Sequence, residues 1–125
     1  MSNSKKVDAL MIQVLRETTK GNVEWRLSSP PDSIARATEN YIPIFVHANY
    51  KDAELAIYEV RSKYWRDEDE YSWSTDVKFS VLVDGVPVAE SKHYSPVLSQ
   101  LFDEARGNAA NIENLLDNLI NNSKK

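Results

Sequence analysis

Hydrophobic residues near the N-terminus recur at spacings of three and four residues. An α-helix has about 3.6 residues per turn, so this spacing places them on one helix face. The members of this face are Val7, Leu10, Met11, Val14, Leu15 and Thr18. The pattern predicts a helix over Val7–Thr19, with Ser4 as its N-cap and Gly21 where a helix C-cap is expected.

The middle of the chain alternates between apolar and polar residues with the period of two that is typical of strands. The alternation predicts strands at Asn22–Ser28, Tyr41–Tyr50 and Thr75–Asp84, the last being the clearest. Ser28–Ser33 contains two prolines and is interpreted as a loop. In the second strand Ile42 is assigned to the same face as Ile44, and Pro43 indicates an edge or a bulge.

Residues 53–65 fit two patterns. Five of them would align on a helix: Ala53, Ala56, Ile57, Val60 and Tyr64. The segment is nevertheless rich in β-branched and aromatic residues, and Tyr50–Asp52 makes a plausible hairpin turn before it. We interpret it as a strand, with a bulge predicted where its alternation slips at Ile57 and Tyr58.

Two hairpins are predicted around the clearest strand. The acidic run Asp67–Glu70 forms the tip of the first, between arms that are rich in aromatic residues. Cross-strand aromatic pairs stabilise such a ribbon by roughly 0.2–1 kcal/mol each. Asp84 and Gly85 form the turn of the second hairpin, because a type I′ turn needs positive φ at both positions.

The C-terminal segment predicts one long helix. Ser95 and Pro96 supply an N-cap and a proline at the first helical position. A single apolar stripe follows: Leu98, Leu101, Phe102, Ala105, Ala109, Ile112, Leu115, Leu116, Leu119 and Ile120. The helix would span roughly 37 Å, with Gly107 and Asn108 as the candidate point for a bend.

The element order is therefore helix, about five strands in a meander, and helix. This order predicts the α+β class: a two-layer sandwich in which the N-terminal and the long C-terminal helix pack on one face of an antiparallel sheet. No repeat or low-complexity linker interrupts the chain, so we expect one domain over residues 1–125, frayed at about 1–4 and 121–125.

Four segments carry a resemblance. They are Gly21–Trp25 after the first helix, Leu55–Val60, the tip Asp67–Trp73 and the terminal helix rich in Leu and Ala. In this layout the chain resembles a group of small bacterial proteins of uncharacterised function. The resemblance spans most of the chain and implies no activity.

Composition and charge exclude several classes of function. The formal net charge of −4 argues against binding to nucleic acid or to an anionic membrane, which require clustered Lys and Arg. The chain contains no cysteine, and therefore no disulfide, thiolate nucleophile or Cys-based zinc site. We expect a cytoplasmic location, since neither a signal peptide nor a membrane span is predicted.

Candidate chemistry is sparse. His47 and His93 are the two histidines, and His93 stands near Ser91 and Ser95. The chain has only three glycines and no Gly-x-Ser-x-Gly motif, so we expect neither histidine to be catalytic and predict no enzyme and no cofactor. The acidic tip lacks the glycine and the later glutamate of a calcium loop and is interpreted as solvated charge, not a metal site.

The aromatic content is the most informative feature, with three Trp and six Tyr. We expect another protein, or a second copy of the chain as in a homodimer, to bind to aromatic side chains on the sheet face away from the helices and to the aromatic arms of the first hairpin. The predicted binding residues are Trp65, Tyr71, Trp73, Tyr41 and Phe45.

Two alternatives to this binding surface stay open. In the first alternative, residues 28–40 fold over that sheet face and cover its aromatic side chains. In the second, the protein is a small enzyme or a ligand-binding protein with His47 or His93 in a cleft between sheet and helices. The interaction hypothesis fits an adaptor, an immunity protein or a secretion chaperone.

Overall fold

The computed structural model describes residues 3–35, 41–91 and 94–122. Its helices are α1 (Asn3–Thr19), α2 (Asp32–Ala35), α3 (Pro96–Ala109) and α4 (Ile112–Asn122). Its strands are β1 (Arg26–Leu27), β2 (Tyr41–Tyr50), β3 (Ala53–Trp65), β4 (Tyr71–Val83) and β5 (Val86–Glu90).

The five strands form one open antiparallel sheet in the order β1-β2-β3-β4-β5, so that each strand pairs with its neighbour in sequence. Helices α1 and α3 share a large core with one face of this sheet. Its buried members are Val7, Met11, Val14, Val23, Trp25, Val46, Ala48, Leu55, Ile57, Phe79, Leu98, Leu101, Phe102 and Ala105. The α+β fold with its antiparallel meander is therefore confirmed.

Helix α1 ends in a Schellman motif. Gly21 has a φ of 82°, and its N–H donates to the Thr18 carbonyl at 3.0 Å. The Asn22 N–H donates to the Glu17 carbonyl at 2.9 Å, which completes the motif and confirms Gly21 as the C-terminal stop. The N-cap prediction is wrong, because α1 begins at Asn3 and Ser4 lies within it.

The segment after α1 is less regular than predicted. Only Arg26 and Leu27 of the expected strand Asn22–Ser28 pair with β2. Trp25 precedes them in the core, where its indole N–H donates to the Thr18 hydroxyl at 3.0 Å. Its backbone N–H donates to the Asn108 side chain of α3 at 2.8 Å, so side chains and not strand pairing position this part of the chain.

Strand β3 confirms the strand interpretation of residues 53–65. The predicted bulge at Ile57 and Tyr58 is wrong, since β3 pairs without interruption with both neighbours there. Leu55–Tyr58 are all buried because both sheet faces are covered, and this removes the apolar–polar alternation. The irregularity lies in β2 between Tyr41 and Ile44, which confirms the expectation from Pro43.

A second, smaller core lies on the other sheet face. Its members are Ile34, Phe45, Ala56, Tyr58, Val60 and Leu82, with Ile42 packed against them. Ile42 was assigned to the face of Ile44, and this is wrong because the irregularity at Pro43 carries it to the opposite face. Helix α2 begins at Asp32, within the predicted loop Ser28–Ser33, and covers this face.

The C-terminal segment is two helices, so the prediction of one long helix is wrong. Helix α3 begins as expected, with the Ser95 hydroxyl accepting from the Leu98 N–H at 3.1 Å. It ends at Ala109, and Asn111 has a φ of 53° before α4 begins. Asparagine tolerates this left-handed conformation better than most residues, and one such residue suffices to end a helix.

Tyr58 supplies a test of the second core. Its hydroxyl lies 3.1 Å from the Ser80 hydroxyl. Burial and the nearby charge of Glu90 raise the pKa of Tyr58, and the hydrogen bond to Ser80 offsets part of this effect. A raised pKa in the folded state gives a contribution to stability that is complete below the ordinary tyrosine pKa of about 10 and is lost as pH rises through the folded pKa.

We therefore expect the free energy of unfolding to fall more steeply above about pH 10 in the native protein than in the Tyr58→Phe variant. Urea denaturation at a series of alkaline pH values measures this slope. Tyr94→Phe, at an exposed tyrosine, is the matched control. Equal slopes for the native protein and Tyr58→Phe would contradict the argument.

Candidate protein-interaction surface

The β3–β4 hairpin extends beyond the rest of the sheet. Both strands have 13 residues, whereas β2 pairs with β3 only as far as the contact of Tyr41 with Arg61. Beyond that pair the hairpin is a two-stranded ribbon. None of the residues in Arg61–Trp65 and Tyr71–Asp76 is buried.

Strand register brings four side chains onto one face of this ribbon. Trp65 pairs with Tyr71, and Lys63 pairs with Trp73. Residues directly opposite each other in an antiparallel pair share a face, as do residues two apart along one strand. We call Lys63, Trp65, Tyr71 and Trp73 the aromatic face.

The three rings of the aromatic face contact one another and remain half-exposed. The ring centroids of Trp65 and Tyr71 are 4.9 Å apart, which confirms the predicted cross-strand aromatic pair. Tyr71 and Trp73 meet edge to face at 6.1 Å. The exposed fraction is 55% for both tryptophans and 45% for Tyr71, so the rings form a cluster that is open to solvent.

Lys63 holds its ammonium group over all three rings. Its Nζ lies 4.6 Å from the ring centroid of Tyr71, 5.5 Å from that of Trp73 and 5.8 Å from that of Trp65. All three distances are within the range of about 6 Å for a cation–π contact. The sequence analysis missed Lys63. Its position two residues before Trp65, on the same strand, was the available signal.

The remaining predicted binding residues lie elsewhere. Tyr41 is exposed and pairs with Arg61, which places it on the same sheet face as Lys63, the face on which α1 and α3 pack. Its predicted place beside Phe45, on the face away from these helices, is wrong because the irregularity at Pro43 moves it to the other face. Tyr64 is exposed on the opposite side of the ribbon. Phe45 is only 3% exposed and stacks on Tyr58 with ring centroids 5.5 Å apart. Its predicted exposure is wrong, because the second core under α2 buries it.

The acidic run Asp67–Glu70 forms the hairpin tip, as predicted. The Arg66 N–H donates to the Glu70 carbonyl at 2.9 Å, and Asp67 Oδ1 accepts from the Glu68 N–H at 2.6 Å. No carboxylate of the tip forms an ion pair with any residue that the structure describes.

A surface depression of about 320 Å³ adjoins the tip. It is lined by Arg66, Asp69, Glu70, Tyr71 and Ser72. Tyr71 belongs both to this depression and to the aromatic face, so carboxylates and rings form one continuous surface. Over the described ranges, no group of three or more histidine or carboxylate side chains is arranged to hold a metal ion.

His47 has structural partners on the face that α2 covers. Its Nδ1 lies 2.9 Å from Glu54 Oε2, and its ring centroid is 6.2 Å from that of Phe45. A second depression, of about 380 Å³, lies at the two turns on the opposite end of the sheet and is lined by Glu54 but not by His47. The prediction for His93 falls outside the described residues.

Comparison with protein families, with curated proteins and with solved structures finds no match to this chain. The resemblance to small bacterial proteins therefore stays a prediction. Among residues 3–35, 41–91 and 94–122, no helix is both long enough and apolar enough to cross a lipid bilayer.

The exposure of the aromatic face gives a prediction about stability. Trp25 is 2% exposed in the main core, so we expect Trp25→Ala to cost about 3–5 kcal/mol of unfolding free energy. Trp65→Ala or Trp73→Ala removes a half-exposed cross-strand contact and should cost less than about 1 kcal/mol. Urea denaturation of the three variants measures the difference, and similar losses for all three would show that the ribbon rings support the fold.

Proposed function

We propose that this chain is a protein-interaction module, which binds another protein or a second copy of itself through the aromatic face. The observation that carries the proposal is the clustering of three half-exposed rings on a ribbon without buried residues. Tyrosine and tryptophan are enriched at protein interfaces, where they bury a large area for few rotatable bonds.

The position of the rings supports this role. Side chains that stabilise a fold are normally placed where the fold itself removes them from water, as Trp25 is. Trp65 and Trp73 instead stay half in solvent at the end of a projecting hairpin. An exposed aromatic cluster rimmed by charged residues is typical of a surface that a partner covers.

The proposal assigns no reaction to the chain. We also propose that the protein is located in the cytoplasm, which is supported by the absence of cysteine. An adaptor, an immunity protein and a secretion chaperone are the kinds of protein that this role fits.

The double variant Trp65→Ala/Trp73→Ala tests the surface. Interface hot spots contribute about 2 kcal/mol or more each, so we expect partner affinity to fall at least about 30-fold per ring that is a hot spot. Affinity capture with quantitative mass spectrometry, followed by titration of the recovered partner, measures the loss. Size-exclusion chromatography with light scattering over a concentration series measures self-association of the native protein and of the double variant.

Tyr64→Ala is the matched control, because Tyr64 is an exposed aromatic residue on the opposite side of the same ribbon. It should leave both capture and self-association unchanged. The proposal fails if the double variant keeps a native circular dichroism spectrum and still binds every partner, its own copy included, as tightly as the native protein does.

A further inference from the structure

A cation already occupies the aromatic face. The Lys63 ammonium lies over Tyr71, Trp73 and Trp65 at distances of 4.6 to 5.8 Å from the ring centroids. The negative faces of three rings thus converge on one position, which is the arrangement that attracts an ammonium or a guanidinium group. The geometry defines a cation-binding place, and Lys63 fills it within the same chain.

We propose that the partner of the aromatic face is a basic, extended protein segment, and that one of its Lys or Arg side chains displaces Lys63 from the rings. This inference rests on the proposed function, since it specifies the chemistry of the partner at that same surface. Lys63 is then an internal competitor that holds the rings together until a partner cation replaces it.

Charge complementarity favours a basic partner. Asp67–Glu70 place four carboxylates at the end of the aromatic face, and none of them has an ion-pair partner among the residues that the structure describes. The depression at the tip is lined by two carboxylates, Asp69 and Glu70, and one guanidinium group, Arg66, together with Tyr71 of the aromatic face. A basic segment that lies along the ribbon would therefore contact both the rings of the aromatic face and the carboxylates of the tip.

The competitor role of Lys63 distinguishes this surface from a purely acidic patch. Lys63 both fills the cation position and repels an incoming positive charge. Replacing it with methionine keeps a long flexible side chain and removes the ammonium. An exposed cation–π contact has a free energy that corresponds to an affinity factor of about two to five, so Lys63→Met should bind a basic peptide more tightly by about that factor.

Lys78→Met is the matched control. Lys78 is an exposed lysine on the same hairpin, and its pairing with Tyr58 places it on the opposite sheet face. The two substitutions change the net charge equally. Any difference between them therefore reports the place of Lys63 among the rings, not the charge of the protein. Lys63→Gln provides a second neutral variant if the methionine variant does not fold.

The experiment is a nuclear magnetic resonance titration of the full chain with an oligolysine peptide, and separately with an oligoglutamate peptide of equal length. Because the Lys63 Nζ lies over the rings, we expect ring currents to shield the terminal methylene protons of Lys63 in the free protein. We expect oligolysine to shift the ring signals of Trp65, Tyr71 and Trp73 and to return those methylene protons to the position of a solvated lysine. Binding should also weaken as salt is added.

The inference is supported if oligolysine displaces Lys63 and binds Lys63→Met about two- to fivefold more tightly than Lys78→Met. It is overturned if both variants bind equally, or if oligolysine leaves the ring signals unchanged. It is also overturned if oligoglutamate binds the rings and Lys63→Met abolishes that binding. In these cases the proposed function still stands if Trp65→Ala/Trp73→Ala loses its captured partner, and it falls separately if capture persists.

Discussion

Burial of β3 on both faces is the constraint on which the rest of the structure depends. Leu55 and Ile57 point into the core with α1 and α3, while Ala56 and Tyr58 point into the core with α2. A strand segment that is buried on both faces must have other parts of the chain packed on each face and a paired neighbour on each edge. The meander supplies the neighbours, and Ile34 of α2 packs into the core on the second face.

The β3–β4 hairpin extends beyond the point at which this burial stops. β3 and β4 continue to pair after β2 and both cores have ended, so the last part of the hairpin must support itself. An isolated two-stranded ribbon is marginally stable in water, and cross-strand side-chain contacts are the main interactions left to it. The Trp65–Tyr71 pair and the Lys63 contacts thus organise a surface that the cores do not control.

Local sequence patterns predicted where the helices and strands lie better than they predicted which side chains of those elements are buried. Alternation and turn residues located the strands and the acidic tip, because those signals lie within a few residues. The exposure of Phe45 was mispredicted because alternation cannot show what covers the second face of a sheet. The break at Asn111 was missed because an apolar stripe continues across it. Lys63 was missed because its contacts depend on cross-strand register, which the sequence does not show directly.

The left-handed residue Asn111 has a consequence for how the C-terminal part of the molecule behaves. The hydrogen-bond ladder of α3 stops there, and α4 starts a new one with Leu115, Leu116 and Leu119 half-exposed. Because the two helices have separate ladders and unequal burial, we expect α4 to open at a lower free energy than α3. Amide protons of α4 should therefore exchange with solvent by local opening, whereas those of α3 should report the global unfolding of the protein.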